Sequence, residues 1–386
     1  MSRPVEFHTD HNVYILGAGF SMAAGLPSLA GFLQAIRETR VAIGNDQART
    51  REAEAIDAVL RFRQSAAAAS ERIGIKLDNI EELLGFASAW PPESGNDIMG
   101  HDLPIAIATT LAECGQRVPA HSLRIEVPKN GSWVTPSTWK QEDGGLRVIT
   151  PRYDLYTALM TGFLDRRAGQ RNTIITFNYD TLVERALSHL PFKFTYGFGD
   201  VLHGASYQIG LEKPKSLPVL WNNETQDDDL HLLKLHGSIN WGVPEPGDDH
   251  KILRTVYDDY SGILADNRWP LLEPPMWNKS FPDLLRLVWN KAVERLRTAT
   301  RVIIIGYSCP PADQHFRFLL AAGLHRNISL TQLFIVNPDE AVHARIGEMV
   351  QNVPIIPIGN AENLFLNLGS LQAIGRRPQC WTSPPM

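Results

Sequence analysis

At 386 residues the chain exceeds the size at which a single apolar core stops growing, so one large domain with insertions or two lobes is expected. Its 44% hydrophobic and 20% charged residues are ordinary for a globular protein, and a net charge of -5 excludes an overall basic footprint for nucleic acid. Cys114, Cys309 and Cys380 are too scattered for a disulfide framework and make no C-x-x-C pair. With no secretory signal and no apolar run as long as a membrane span, a reducing, cytoplasmic location and no membrane partner are expected.

Residues 12 to 17 read as a buried strand that runs into Gly17-Ala18-Gly19-Phe20-Ser21 and then Met22-Ala23-Ala24-Gly25-Leu26-Pro27-Ser28. Gly17 and Gly19 let the backbone turn sharply and approach an anion, with amides at the start of the next helix facing it. Met22 replaces the third glycine of G-x-G-x-x-G, so the loop also reads as a plain strand-to-helix turn. Ser28 is placed to cap a helix through about Arg40, and helix is expected over Asn45 to Gly74 and again from Asn79 to Phe86. Pro91 to Gly95 is a break, a helix follows near residues 102 to 114, Asp143-Gly144-Gly145 marks a turn, and Tyr153 to Arg167 reads as helix. Residues 41–170 are thus expected to be a mainly helical insertion between residues 1–40 and 171–386.

Strands and helices then alternate. Strands are expected at Thr173 to Phe177, His231 to Leu235, Val302 to Ile305, Leu333 to Val336 and Ile355-Ile356. Helices fall at Thr181 to Leu190, Phe281 to Thr298, Asp313 to Leu324 and from Glu340, with a last one after Ile356. Residues 243 to 280 read as a long surface excursion. This alternation predicts an α/β fold: a Rossmann-like parallel sheet flanked by helices.

Ligands of such sheets bind beyond the carboxyl ends of the strands. Five strand ends carry polar residues: Gly17 to Ser21, Phe177-Asn178-Tyr179-Asp180, Leu235-His236-Gly237-Ser238, Gly306-Tyr307-Ser308 and Val336-Asn337-Pro338-Asp339. Each has a plainer reading. Thr181-Leu182-Val183-Glu184 forms a capping box, so Asp180 and Thr181 also read as a helix cap. Asn178, Ser308 and Asn337 also read as turn residues. His203-Gly204 competes with His236-Gly237 but lacks a buried strand before it. Asp227-Asp228-Asp229 reads as a solvated loop, and His8 and His11 as a polar tail.

The order of these five motifs resembles the sirtuin-like family of NAD-consuming proteins, over residues 12 to 40, 170 to 242 and 300 to 340. The resemblance implies NAD+ as substrate, with Ala18, Gly19 and Ser21 lining the pyrophosphate and ribose. Asn178 would hold the nicotinamide ribose or the attacking water, Asp180 would lie near the nicotinamide amide, and His236 would be the base. Ser308 and Asn337 would contact phosphate and adenosine ribose, with Gly17, Phe20, Gly25, Pro27 and Gly306 completing the cofactor-binding set. Two departures matter. Gly25-Leu26-Pro27 continues into Ser28-Leu29-Ala30 where sirtuin deacylases have Asp-Phe-Arg, and three isolated cysteines cannot build their zinc module, so no metal is expected. The resemblance therefore implies the bacterial antiviral branch: an NAD glycohydrolase, homo-oligomeric or partnered by a HerA-type ATPase. An NAD-dependent deacylase or ADP-ribosyltransferase and a non-catalytic nucleotide sensor or scaffold stay open as alternatives.

Overall fold

The computed structural model describes residues 11–67, 71–72, 74–89, 98–117, 122–126, 140–141, 147–161, 172–190, 194–197, 230–243, 255–256, 259–265, 268–273, 283–310 and 314–365. The Asp227-Asp228-Asp229 run, His203-Gly204, His8, Cys380 and the breaks expected at 91–95 and 143–145 lie outside them.

The chain opens with β1 (Asn12–Leu16), α1 (Ala18–Met22), α2 (Phe32–Ile43), α3 (Thr50–Ser65), α4 (Ile80–Ala89) and α5 (Leu103–Gln116). An antiparallel sheet of β2 (Ser122–Glu126), β3 (Lys140–Gln141) and β4 (Arg147–Pro151) precedes α6 (Arg152–Met160). Next come β5 (Thr173–Thr176), α7 (Leu182–Ser188), β6 (Phe194–Thr195), β7 (Leu230–Lys234), β8 (Gly237–Val243), β9 (Thr255–Val256), α8 (Tyr260–Ala265) and β10 (Trp269–Leu272). The last elements are α9 (Asp283–Arg297), β11 (Arg301–Ile305), α10 (Gln314–Leu324), β12 (Gln332–Val336), α11 (Glu340–Met349) and β13 (Ile355–Ile358).

Seven strands form one parallel sheet in the order β13-β12-β11-β1-β5-β7-β6. Past their first residues, Asn12 and Arg301, the central strands β1 and β11 are apolar and buried, as a sheet covered on both faces requires. The chain leaves β1 towards β5 and β7, then returns to the other side of β1 for β11, β12 and β13. That reversal is a topological switch point, and it opens a crevice at the carboxyl ends of β1, β5 and β11. Helix α9 shows why the faces are covered. Leu285, Val288, Ala292 and Leu296 recur at helical spacing and are fully buried in the sheet core, the two leucines and the valine each contributing about 1.5–3 kcal/mol of burial before entropy is counted.

A second apolar core gathers Phe32, Leu33 and Ile36 of α2 with side chains of α3, α4 and α5. It cuts the chain differently from the expected boundaries at 41 and 170. Helix α2 begins before residue 41 yet joins this core, while α6 ends before residue 170 yet packs Tyr153, Leu155 and Leu159 into the sheet core. The insertion also contains the β2-β4-β3 sheet.

Other local expectations are corrected. Ser28 does not cap α2. Its hydroxyl accepts from Gly31 N–H (3.1 Å), closing a turn before the helix starts at Phe32. The capping box at Thr181 does not form: Asp180 Oδ1 accepts from Leu182 N–H (3.0 Å), and Glu184 turns to Lys234. His11 is buried, its ring nitrogens 3.1 and 3.0 Å from the Thr298 and Thr173 hydroxyls. Nor are residues 243 to 280 only a surface excursion, since β10 pairs with β8 and α8 buries Tyr260 and Ile263 in the second core. Among the described residues no helix is long and apolar enough to cross a membrane, and no group of three or more His, Cys, Asp or Glu could hold a metal ion.

Candidate active site

The loop after β1 crosses the loop after β11 backbone to backbone. Gly17 N–H donates to Ile305 C=O (3.0 Å) and Gly19 N–H to Gly306 C=O (2.8 Å). A Cβ on Gly17 would lie 2.5 Å from Tyr307 Cα, one on Gly19 2.8 Å from Gly306 O, and one on Gly306 2.2 Å from Phe20 N. Gly306 also stands at φ +64°, where a side chain is strained. These glycines serve the crossing of two loops, and the Gly17 and Gly19 amides are donated to the Ile305 and Gly306 carbonyls. From below, Tyr153 Oη donates to Phe20 C=O (2.5 Å), and the Phe20 ring meets the Tyr153 ring edge-on at 5.2 Å. The Tyr153 hydroxyl is held above the ordinary tyrosine range, first by burial and then by the charge of Asp180, so it stays a donor at neutral pH.

Three polar side chains lock this loop to the end of β5. Asn178 Nδ2 donates to Gly17 C=O (2.9 Å) and to Ser21 Oγ (3.0 Å), and Ser21 Oγ donates to Asp180 Oδ2 (2.8 Å). Both Asp180 carboxylate oxygens are thereby engaged, since Oδ1 accepts from Leu182 N–H. The Asn178 amide is oriented by two acceptors, and its Oδ1 accepts no hydrogen bond among the described residues.

A buried network holds the same segment from behind. Lys234 Nζ donates to Asp180 C=O and to Glu184 Oε1 (2.8 Å), with Lys234 1% and Glu184 3% exposed. Tyr196 Oη donates to Glu184 Oε1 (3.2 Å), Asn240 Nδ2 to Tyr196 Oη (3.3 Å), and Ser238 Oγ lies 2.5 Å from Asn240 Oδ1 and 3.3 Å from Tyr179 C=O. The carbonyls of Tyr179 and Asp180 are thus gripped by one chain of polar groups reaching across β7 and β8.

His236 lies in the short turn between β7 and β8 and is buried at 4% exposure. Gly237 after it stands at φ +85°, where a Cβ would meet Leu271 O at 2.0 Å, so the His-Gly pair marks where β8 turns against β10. The imidazole meets Phe177 edge-on at 5.1 Å, and Phe177 stacks on Tyr307 at 5.0 Å. Tyr179 lies 6.3 Å from the imidazole, ring to ring, and donates its hydroxyl to Glu273 C=O (3.1 Å). Burial, then the charges of Glu81 and Glu273, hold that hydroxyl well above the tyrosine range.

These groups meet in a narrow cleft of about 70 Å³, below the range of about 300–1,000 Å³ usual for small-molecule sites. Gly17, Ala18, Ser21, Pro27, Asn178, Asp180, His236 and Ser308 line it, and the Ser308 hydroxyl makes no hydrogen bond among the described residues. Five expected residues do not line it. Gly19 and Gly306 are taken up by the backbone crossing, Phe20 faces the core, and Gly25 forms the left-handed turn after α1. Asn337 donates to Tyr307 C=O (3.2 Å) and accepts from Asp339 N–H (2.9 Å), so its amide serves the turn after β12. Sequence reasoning missed Phe177, Tyr179 and Tyr307, neighbours of motif residues, and the whole opposite wall: Leu26, Leu29, Phe32, Ile80, Glu81, Leu84, Ile107 and Leu111. Only their adjacency to Asn178 and Ser308 could have flagged the aromatics. The wall carries no motif.

Residues 172–353 match the family model of the SIR2-like domain. The matched span holds Asn178, Asp180, His236 and Ser308 and leaves the Gly17 to Ser21 loop outside it. A search of curated proteins finds no match. Among solved structures, one described as "Structural Basis for the Mechanism and Regulation of Sir2 Enzymes" aligns with 95% of this chain and 93% of its own, at 13% identity and a TM-score of 0.38. The SIR2-like likeness is thus one of residues 172–353, less than half of the chain.

Proposed function

We propose that the chain is an NAD+ glycohydrolase, releasing nicotinamide and ADP-ribose. The observation that carries this reading is that Asn178 and His236, from the ends of two different strands, line one cleft with Gly17, Ala18 and Ser308. In the reaction the bond between ribose C1′ and the pyridinium nitrogen breaks, and both electrons leave with nicotinamide, which becomes neutral. Water then bonds to C1′, and its proton passes to His236 and on to solvent. Little acid catalysis is needed, because the leaving group is already cationic. The demand is for positioning, which the doubly anchored Asn178 suits, and for a base that is neutral near pH 7, which imidazole is.

The Phe177–Tyr307 stack offers a flat apolar surface, and the Ser308 hydroxyl an uncommitted polar contact, both consistent with a dinucleotide. Following the resemblance, the enzyme would act in the cytoplasm as an antiphage effector that depletes NAD+, as a homo-oligomer or with a HerA-type ATPase.

The test is nicotinamide release from NAD+ by the purified chain, alone and with its genomic neighbour's product. Asn178→Ala and His236→Ala are each expected to lower turnover by about a hundredfold or more, in variants that still fold but melt at a lower temperature, since the first loses two hydrogen bonds and the second a buried ring. Parent-like turnover by both variants would sink the assignment. Product formed only with an acylated peptide, or ADP-ribose retained on protein, would transfer it to a deacylase or ADP-ribosyltransferase.

A further inference from the structure

The polar lining of the cleft divides by strand. Near the ends of β1 and β5 the side-chain donors are spent within the protein. Ser21 Oγ donates to Asp180 Oδ2 (2.8 Å), and Asn178 Nδ2 donates to Gly17 C=O and Ser21 Oγ (2.9 and 3.0 Å). The end of β11 differs. The Ser308 hydroxyl lines the cleft and makes no hydrogen bond among the described residues. An arginine from outside the lining is attached to the same residue: Arg345, in α11, donates from Nη2 to Ser308 C=O (2.9 Å). Its Nε is buried without a hydrogen-bond partner, and the side chain pairs with no carboxylate among the described residues. A half-buried guanidinium that holds one carbonyl keeps its charge and most of its five donors uncommitted. Orphaned buried donors are rare in native folds, and an ion yet to bind is one physical reason for them.

We propose that Arg345 and Ser308 form a phosphate-binding end of the cleft, the hydroxyl donating to a phosphate oxygen and the guanidinium compensating its charge. The inference rests on reading the cleft as a dinucleotide site, and adds to it a residue that no sequence motif marks. Arginine suits the task because its planar fork offers two parallel donors to a phosphate. Helix α11 presents it from a fixed position: Asp339 caps the helix through Ala341 N–H (2.9 Å), and Val342 and Ile346 anchor it in the sheet core. Phosphate held here also lies at a different strand end from the Asp180 carboxylate, which would repel it.

The experiment is calorimetry of ADP-ribose with the parent, Arg345→Gln, Arg345→Lys, Ser308→Ala and the control Arg326→Gln, at low and high NaCl, with melting temperatures recorded beside it. Arg326 adjoins Asn327, whose Nδ2 donates to the Leu296 and Ala299 carbonyls ahead of β11, at the sheet edge away from the cleft. Expected is an ADP-ribose Kd raised about tenfold or more in Arg345→Gln. Smaller losses are expected in Arg345→Lys, which keeps the charge, and in Ser308→Ala, with Arg326→Gln staying within about twofold. Parent affinity should also fall more steeply with salt than that of Arg345→Gln. A mere tether of the loop after β11 would lower the melting temperature and leave the salt dependence unchanged. Arg345→Gln within about twofold of the parent, equal losses in Arg345→Gln and Arg326→Gln, or equal salt dependence in parent and Arg345→Gln would each overturn the proposal. Binding needs no turnover, so the two readings fail separately. A parent that binds ADP-ribose through Arg345 yet releases no nicotinamide keeps this site and loses the hydrolase, whereas a parent that binds no ADP-ribose loses both.

Discussion

Gly306 concentrates two constraints on one atom. Its φ of +64° disfavours any side chain, and a Cβ would lie 2.2 Å from Phe20 N and 2.5 Å from the Gly19 carbonyl carbon. Backbone cannot swing aside as a side-chain tip can, so Gly306→Ala must displace the loop that carries Ala18 and Ser21. We expect a loss of at least about 2 kcal/mol together with weakened ADP-ribose binding, read by urea denaturation and calorimetry. Parent-like values in both would show that the crossing yields more easily than its distances imply. Tyr153→Phe is a milder change at the same loop. Deleting the hydroxyl that donates to Phe20 C=O should cost about 1 kcal/mol and leave the aromatic packing in place.

Between elements, the buried Lys234–Glu184 pair joins β7 to α7 and to the Asp180 carbonyl. Removing one partner leaves the other as an uncompensated charge in the core, so Lys234→Met should destabilise by about 3–5 kcal/mol. Replacing both, as Lys234→Met with Glu184→Leu, should cost clearly less than the two single losses added, because the stranded charge disappears. A denaturation cycle over the four proteins checks this, and strict additivity would mean that the pair is not coupled. The same cycle has a functional arm. If the network positions Asn178, the double variant should fold yet turn over NAD+ more slowly than the parent.

Across the molecule, the cleft lies where the two cores meet: Leu26, Phe32, Ile80, Leu84, Ile107 and Leu111 belong to the second core, while Phe177, Leu16's neighbour Gly17 and Tyr307 border the sheet core. A ligand there touches both halves and should stabilise them together, by about 2.7 kcal/mol at a hundred times its dissociation constant. Melting with ADP-ribose should shift upward as one transition, and no shift at saturation would argue against binding in this cleft. Alkaline pH should act on the whole fold as well. Burial raises the pKa of Tyr14, Tyr153, Tyr179, Tyr196 and Tyr260 above 10.0 and pushes Tyr156 up to about 12. The folded state therefore keeps protons that the unfolded chain gives up, so this stability is fully present below pH 10 and is lost as pH rises through the folded values. Denaturation midpoints measured from pH 8 to 12 should fall steeply only above about 10.

Periodicity and punctuation made the parallel sheet legible, since buried strands such as Val302 to Ile305 and helices such as α9 declare themselves in local pattern. The motif ends at Asn178, Asp180, His236 and Ser308 were legible for the same reason: a short polar run after an apolar strand can only lie at the sheet's edge. Tertiary structure alone decided what those residues do there. That Gly19 and Gly306 are used against each other, and that Asn337 reaches the Tyr307 carbonyl on the loop after β11, are consequences of strand order. Strand order arises from contacts between segments distant along the chain, which local spacing does not encode.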